Sequence, residues 1–422
     1  MLYAAISFFL IIIPLLCWGG WGDGIRFPKE VLSILGFVSI IGIGVSSYSL
    51  KPFKSKILLF WGWCFLTLSF SSYLFPVYLS KVVVQMPANF FAWKELLYST
   101  LAIFTIYVIS SASTNQERFY NFGFLKFHLN ERLSFRLVSK AITIIVFLVS
   151  IYAIIQAIGF DEVFRTCDYN TGLVAQNPLT GAANQTGNIM RRVVGTLGNP
   201  SLLAIWLSIC LPLCLYQRTV FGYITSTIAL IVLVITGSCM AILGTTISVG
   251  IYLFFNHKKI LLSLLAIFLP IFLLLSFSSN FKYRFKHFIN PTGRVAVHKE
   301  AWKILAEKPM TGLGLGTFEY LIGNNPNVVE RLNNENWKEL HDEYGQVWFT
   351  TGLIGLSLFM IFITSTIRKF LKNITEESIA LFSSLAAFLV MSVGYFTLRV
   401  APISFYGVIL TGLFLQKIGE NA

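Results

Sequence analysis

The sequence predicts an all-α, polytopic membrane protein of about twelve transmembrane helices, with a large, partly helical loop between the ninth and the tenth. Three observations carry this. Of 422 residues, 55% are hydrophobic and 12% are charged, about half the charged share of a soluble domain. The mean hydropathy is +0.72. The apolar residues gather in runs of about 20, the length that crosses a bilayer core. So little charge cannot coat a soluble fold of this length, which excludes a cytosolic enzyme, a disordered chain and a collagen-like repeat. The chain reads as a single membrane domain, 1–422, with a smaller outer loop at 160–197 and a large one at 279–344.

The runs are 3–21, 31–50, 57–76, 97–114, 141–159, 198–216, 219–237, 239–255, 260–278, 346–367, 378–397 and 401–417. The first has no basic stretch before it and ends in tryptophan and glycine, so it reads as a retained helix and not a cleaved signal. The sixth starts near Asn199-Pro200. There the Asn side chain can cap the helix, and the proline sits where its missing N–H costs nothing. Residues 219–255 form one uncharged stretch of 37, too long for one span, and divide near Gly237. Apart from Lys417 at the last position of the twelfth run, no Asp, Glu, Lys or Arg lies within a run. Ion-coupled transporters keep ionisable groups at membrane depth. This silence counts against a coupled transporter and leaves an uncoupled carrier or flippase open.

Alternating the loops with the N-terminus inside places 15 Lys and Arg residues inside and 17 outside. Nine of the 17 sit in the 66-residue loop 279–344, beyond the length over which such residues set topology. The short-loop balance is then 15 against 8, which puts both termini in the cytoplasm. The net charge of +13 is read as topological, with no nucleic acid partner. Cys17, Cys64, Cys210, Cys214 and Cys239 lie in apolar stretches, where they act as small hydrophobes. Only Cys167 lies in a polar loop, and neither a disulfide framework nor a CxxC metal pattern is present.

Polar chemistry collects in the two outer loops. The first ends in Arg191-Arg192 just before the Asn199-Pro200 helix start. Paired guanidinium groups and a helix N-terminus make an anion site, and anchoring to lipid headgroups is the rival reading. In the second loop the pattern from Arg294 to Lys308 is helical, with Val297, Ala301, Ile304 and Leu305 on one face and a stop at Pro309. Arg294 and His298, four apart, share a face. Gly312-Leu313-Gly314-Leu315-Gly316-Thr317-Phe318 looks like a phosphate-cradling loop but follows no strand, so it reads as a tight turn. His341-Asp342-Glu343-Tyr344 stands at the mouth of the tenth span. A histidine with a carboxylate partner has raised basicity and suits a general base. A metal site on His341, Asp342 and Glu343 and a histidine snorkelling at the interface are the alternatives.

One chemical requirement links the loops. Outside the cytoplasm there is neither ATP nor nucleotide sugar, so a transferase there needs a donor already activated on a lipid. A sugar on a lipid pyrophosphate qualifies. Its leaving group needs cations, and its hydroxyl acceptor needs a base.

These residues resemble a known family. The stretch 191–213, RRVVGTLGNPSLLAIWLSICLPL, is similar to a signature of the O-antigen ligase and polymerase superfamily. So are Gly293-Arg294 eight residues before Trp302, Lys308-Pro309 with the Gly312–Phe318 turn, and His341 followed by Gly352-Leu353-Ile354-Gly355-Leu356. Tyr152-Ala153-Ile154-Ile155-Gln156 fits as well, so the likeness spans about 140–360. The resemblance implies a GT-C-like membrane fold and a metal-independent, inverting glycosyltransferase without cofactor. Such an enzyme moves a glycan from undecaprenyl pyrophosphate to an acceptor hydroxyl at the periplasmic face of the bacterial inner membrane. It implies that Arg191 or Arg192, together with Arg294, holds the pyrophosphate and that His341 is the base on the acceptor. Two departures stand out. Asp342 occupies a place where the family often has Asn, and Ser238-Cys239 a place where many members have Ser-Arg. Arg399 or Lys29 is expected to fill the missing cationic contact, with His298 and Asp342 in support. The acceptor expected is the lipid A core, as for an O-antigen ligase of lipopolysaccharide synthesis. A polymerase adding to another lipid-linked glycan, a protein O-oligosaccharyltransferase, and a flippase for the same lipid are the alternatives.

Overall fold

The computed structural model describes residues 2–15, 26–47, 59, 62–64, 66, 86–111, 120–122, 125–127, 131–158, 193–262, 292–323, 325–332, 337, 339–395 and 397–419. In chain order the helices are α1 (Leu2–Leu15), α2 (Arg26–Ser47), α3 (Met86–Ser111), α4 (Glu131–Ile158), α5 (Pro200–Tyr216), α6 (Val220–Thr236), α7 (Cys239–Asn256), α8 (Thr292–Leu305), α9 (Pro326–Arg331), α10 (Glu343–Lys372), α11 (Glu376–Met391) and α12 (Ala401–Gly419). Helices α8 and α9 belong to the large loop. The other ten match predicted runs, and the runs at 57–76 and 260–278 fall largely outside the described residues. Among the described residues, five helices (α2, α4, α7, α10 and α12) hold stretches long and apolar enough to cross a membrane. A small antiparallel hairpin, β1 (Tyr120–Phe122) and β2 (Leu125–Phe127), pairs Tyr120 with Phe127. It qualifies the all-α expectation in one short segment.

The local signals act as the sequence reading expects. Asn199 accepts from the N–H groups of Ser201 and Leu202, with Pro200 in the first turn of α5. Gly237, in the left-handed region, separates α6 from α7. Helix α4 begins at Glu131, ten residues ahead of its predicted run, and the boundaries of two further helices differ as well. Helix α3 begins at Met86, ahead of residue 97, and α11 stops at Met391, short of 397. At the second of these, the Ser392 hydroxyl turns back to the Phe388 carbonyl at 2.8 Å and meets the Thr397 hydroxyl at 2.5 Å. These hydroxyls compete with the helix ladder, and a non-helical segment follows.

The bundle packs α12 against α2, α3 and α11; α11 against α5 and α7; and α1 against α2 and α4. Its core is aliphatic and aromatic, with Trp206, Phe405, Tyr406 and Phe414 fully enclosed. The large loop carries a second core. Val297, Ala301 and Leu305 of α8 pack with Phe318, Ile322, Val328 and Phe349. That is the face expected for this helix, with Ile304 packed at its edge.

The glycine turn is a clamp on α10. This helix breaks at Gly352, whose φ and ψ are 70° and −178°. The Leu353 and Ile354 N–H groups, left without helical partners, donate to the carbonyls of Pro309 and Met310 at 2.9 and 3.2 Å. The carbonyls of Phe349 and Thr350 accept from Leu313 and Gly314, each at 2.9 Å. The break is therefore satisfied by four bonds from 309–314, as buried backbone requires. The approach is close enough that a Cβ on Gly352 would lie 2.1 Å from the Met310 oxygen.

The opposite end of the bundle is closed by a separate charged cluster. Arg218 pairs with Glu376 at 3.1 Å and Lys417 with Glu377 at 3.1 Å. The Asn373 amide donates to the Ile418 carbonyl at 2.9 Å.

Candidate active site

Helix α8 presents Arg294 and His298 from one face, held by the second core behind it. The Arg294 guanidinium donates to the Gly394 carbonyl at 3.1 Å. It is half-buried, and among the described residues it has no carboxylate partner. Burial lowers its pKa from the usual arginine value, yet arginine stays charged at any working pH. One donor is spent and the rest of the fork is left for an anion. His298 Nδ1 contacts the Arg294 carbonyl at 2.7 Å.

Residues 341–343 stand before and at the start of α10 and divide their side chains among different partners. His341 takes a left-handed φ of 58°. Its ring meets Trp337 and Tyr395 edge-on, with centroids 5.1 and 5.8 Å away. Asp342 caps α10, accepting from the Tyr344 N–H at 3.1 Å. Its other oxygen lies 3.8 Å from His298 Nε2, an ion-pair distance. Glu343 accepts from the Leu398 N–H at 3.1 Å and faces Arg399 Nε at 3.5 Å. The three side chains do not converge, which removes the basis for a metal site on them. Among the described residues no group of three or more His, Cys, Asp or Glu is placed to hold a metal ion.

The electrostatics correct one expectation. Asp342 serves His298, and its carboxylate raises the His298 pKa above the usual 6.5. His341 moves the other way, lowered to about 4 by burial and by the nearby charges of Arg294 and His298. Sequence neighbours suggested a carboxylate partner that would raise its basicity. The His341 ring instead meets Trp337 and Tyr395 and lies near the charges of Arg294 and His298. At neutral pH the imidazole is uncharged.

Arg399 is engaged differently from Arg294. It pairs with Glu95 of α3 and with Glu343. Glu95 also accepts from the Gly316 N–H at 3.0 Å. Lys29 of α2 is 1% exposed and donates to the Thr196 carbonyl. Gln156 of α4 accepts from the N–H groups of Val194 and Gly195 at 3.3 and 2.8 Å. The turn 193–199 is thereby tied to two helices.

Of the residues singled out from sequence, the structure brings Arg294, His298, His341 and Asp342 together. It places Arg399 in a neighbouring ion-pair group and Lys29 beside the 193–199 turn. Arg191, Arg192 and Cys167 lie outside the described residues. Sequence reading missed Glu95, Gly394 and Tyr395. Glu95 carried a signal, a carboxylate at the mouth of the fourth run on the side where Arg399 emerges. Tyr395 carried none, because it fell inside a predicted span.

Residues 224–360 match the family model described as O-Antigen ligase. No curated protein matches the chain. The matched stretch contains Arg294, His298, His341, Asp342 and the broken α10 down to Met360. It supports the O-antigen ligase and polymerase superfamily and, with it, a membrane-embedded, glycosyltransferase-like enzyme acting on lipid-linked glycans.

Proposed function

We propose that the chain transfers a glycan from undecaprenyl pyrophosphate to an acceptor hydroxyl at the periplasmic face of a bacterial inner membrane, as an O-antigen ligase with lipid A core as acceptor. The observation that carries this reading is that His341 and Arg294 meet the same Gly394-Tyr395 segment, Arg294 having no carboxylate partner among the described residues. One side chain accepts a proton and the other stabilises an anion, the two needs of this transfer.

In the step, the His341 imidazole takes the acceptor hydroxyl proton. The acceptor oxygen forms a bond to the anomeric carbon as the bond from that carbon to the pyrophosphate oxygen breaks. The electron pair leaves on undecaprenyl pyrophosphate, whose added charge faces Arg294, with Arg191 or Arg192 as a second cation. The single displacement inverts the anomeric centre. No cofactor or metal is part of the step.

A flippase reading calls for a polar path through the bundle. The grouping of Arg294, His298, His341 and Asp342 within the large loop favours chemistry at one end. Reconstitution in vesicles with undecaprenyl pyrophosphate-linked glycan tests the proposal. Glycan appearing on added lipid A core supports the ligase. A ladder of longer lipid-linked products from donor alone replaces it with a polymerase. Movement of donor across the vesicle without transfer overturns the enzyme. His341→Ala should abolish transfer and leave donor binding intact.

A further inference from the structure

We propose that Glu95 and Arg399 act with Glu343 as a charge clamp that positions the His341-Asp342 segment, and that Arg399 takes no part in holding the donor. This rests on the reading of His341 as proton acceptor. The clamp joins four pieces of chain distant in sequence. Glu95 comes from α3, Gly316 from the glycine turn, Glu343 from the head of α10, and Leu398 and Arg399 from the segment before α12. Each Glu95 oxygen has its own partner, the Arg399 guanidinium on one side and the Gly316 N–H on the other. Glu343 is held three times. Its N–H donates to the Ser392 carbonyl at 2.8 Å, one carboxylate oxygen accepts from Leu398, and the other faces Arg399.

Immediately before Glu343 and Asp342 lies the left-handed backbone of His341, a conformation that costs a non-glycine residue free energy and persists only where its surroundings impose it. The surroundings do so from both sides. The Leu340 N–H donates to the Gln346 side chain at 2.9 Å, and Glu343 is fixed by the clamp. The charge count separates Arg399 from the donor. Two carboxylates face one guanidinium, and all three side chains are largely buried, at 15%, 27% and 3% exposure for Arg399, Glu95 and Glu343. A pyrophosphate brought to Arg399 would meet two like charges, whereas Arg294 has no carboxylate partner among the described residues.

The test uses Arg399→Lys and Glu95→Gln in the full-length enzyme, reconstituted with undecaprenyl pyrophosphate-linked glycan and rated per folded molecule. Lysine keeps the charge but cannot span two carboxylates. Glutamine keeps an acceptor for Gly316 and loses the charge. We expect kcat to fall at least tenfold in both, with donor KM and binding of undecaprenyl pyrophosphate within twofold of the parent. The acid limb of kcat should move up toward the ordinary histidine value as the His341 ring loosens. A raised donor KM with kcat retained makes Arg399 a donor ligand and overturns the clamp. So does an unchanged kcat in Glu95→Gln, which decides the matter if Arg399→Lys does not fold. His341→Ala runs beside them. If it stays active, the reading of His341 fails. If it is dead and the clamp variants match the parent, the clamp alone fails.

Discussion

His341 and His298 are both imidazoles on one site, and their surroundings drive them apart. His298 faces Asp342 and is held protonated to higher pH. His341 faces Arg294 and His298 from a half-buried position and is held neutral down to about 4. The consequence for rate is direct. The neutral form of His341 is lost only as pH falls through about 4, so the acid limb it governs should lie there and not near 6.5. A pH profile of kcat/KM measures it, and a limb at 6.5 removes His341 as the base. The sign for stability follows from the same shift. Between 6.5 and about 4 the unfolded chain binds a proton at this position that the folded chain refuses, so the fold loses stability across that window as pH falls. Substituting His341→Ala should flatten this part of a melting-temperature profile. Arg294 is the partner in charge. A charge-assisted hydrogen bond contributes about 1.5–3 kcal/mol, so Arg294→Ala should weaken undecaprenyl pyrophosphate binding about 10- to 100-fold. Equal binding by parent and variant would move the donor site elsewhere.

Helix α10 shows how an element is shaped by what crosses it. By composition it is one long apolar helix, and the sequence gives no proline to break it. The break comes from Gly352 and from the 309–314 segment that occupies the vacated hydrogen bonds. Its φ and ψ lie in a region open almost only to glycine, at about 1–3 kcal/mol for other residues. A Cβ there also strikes the Met310 carbonyl. Gly352→Ala should therefore lower the unfolding free energy by more than the backbone term alone, read by thermal unfolding in detergent. It should also lower transfer, because the glycine turn carries the Gly316 N–H that Glu95 holds. A variant as stable as the parent would show that the crossing is not a packed contact. The end of α11 teaches the related lesson. Hydroxyls at Ser392 and Thr397 turn the last predicted turns of a span into the loop that receives Arg294 and His341.

At the scale of the molecule, charge is partitioned to two ends with an apolar bundle between them. Glu95, Arg294, His298, His341, Asp342, Glu343 and Arg399 gather at one end, while Arg218, Glu376, Glu377 and Lys417 gather at the other. Helices read as antiparallel neighbours thus deliver their charged termini alternately to each end. The loop balance predicts that the second end faces the cytoplasm, so a reporter active only outside the cytoplasm should be silent after residue 422 and active within 279–344. The reverse pattern would invert the topology and separate the site from a periplasmic donor. The sequence alone determined the membrane class, the positions of most described helices, the cap at Asn199, the division at Gly237, the buried face of α8 and the kinship of Arg294 and His298. All of these follow from hydrophobic periodicity and from cap chemistry, which act over a few residues. Only the tertiary structure decided that Asp342 serves His298, that His341 is lowered and not raised, that Arg399 belongs to Glu95 and Glu343, and that α10 breaks. The reason is that a pKa or a charge pairing depends on what stands within a few ångströms in space. Here those neighbours come from other elements of the chain, from tens of residues away for Asp342 and His298 to hundreds for Arg399 and Glu95, and spacing along the sequence carries no record of them.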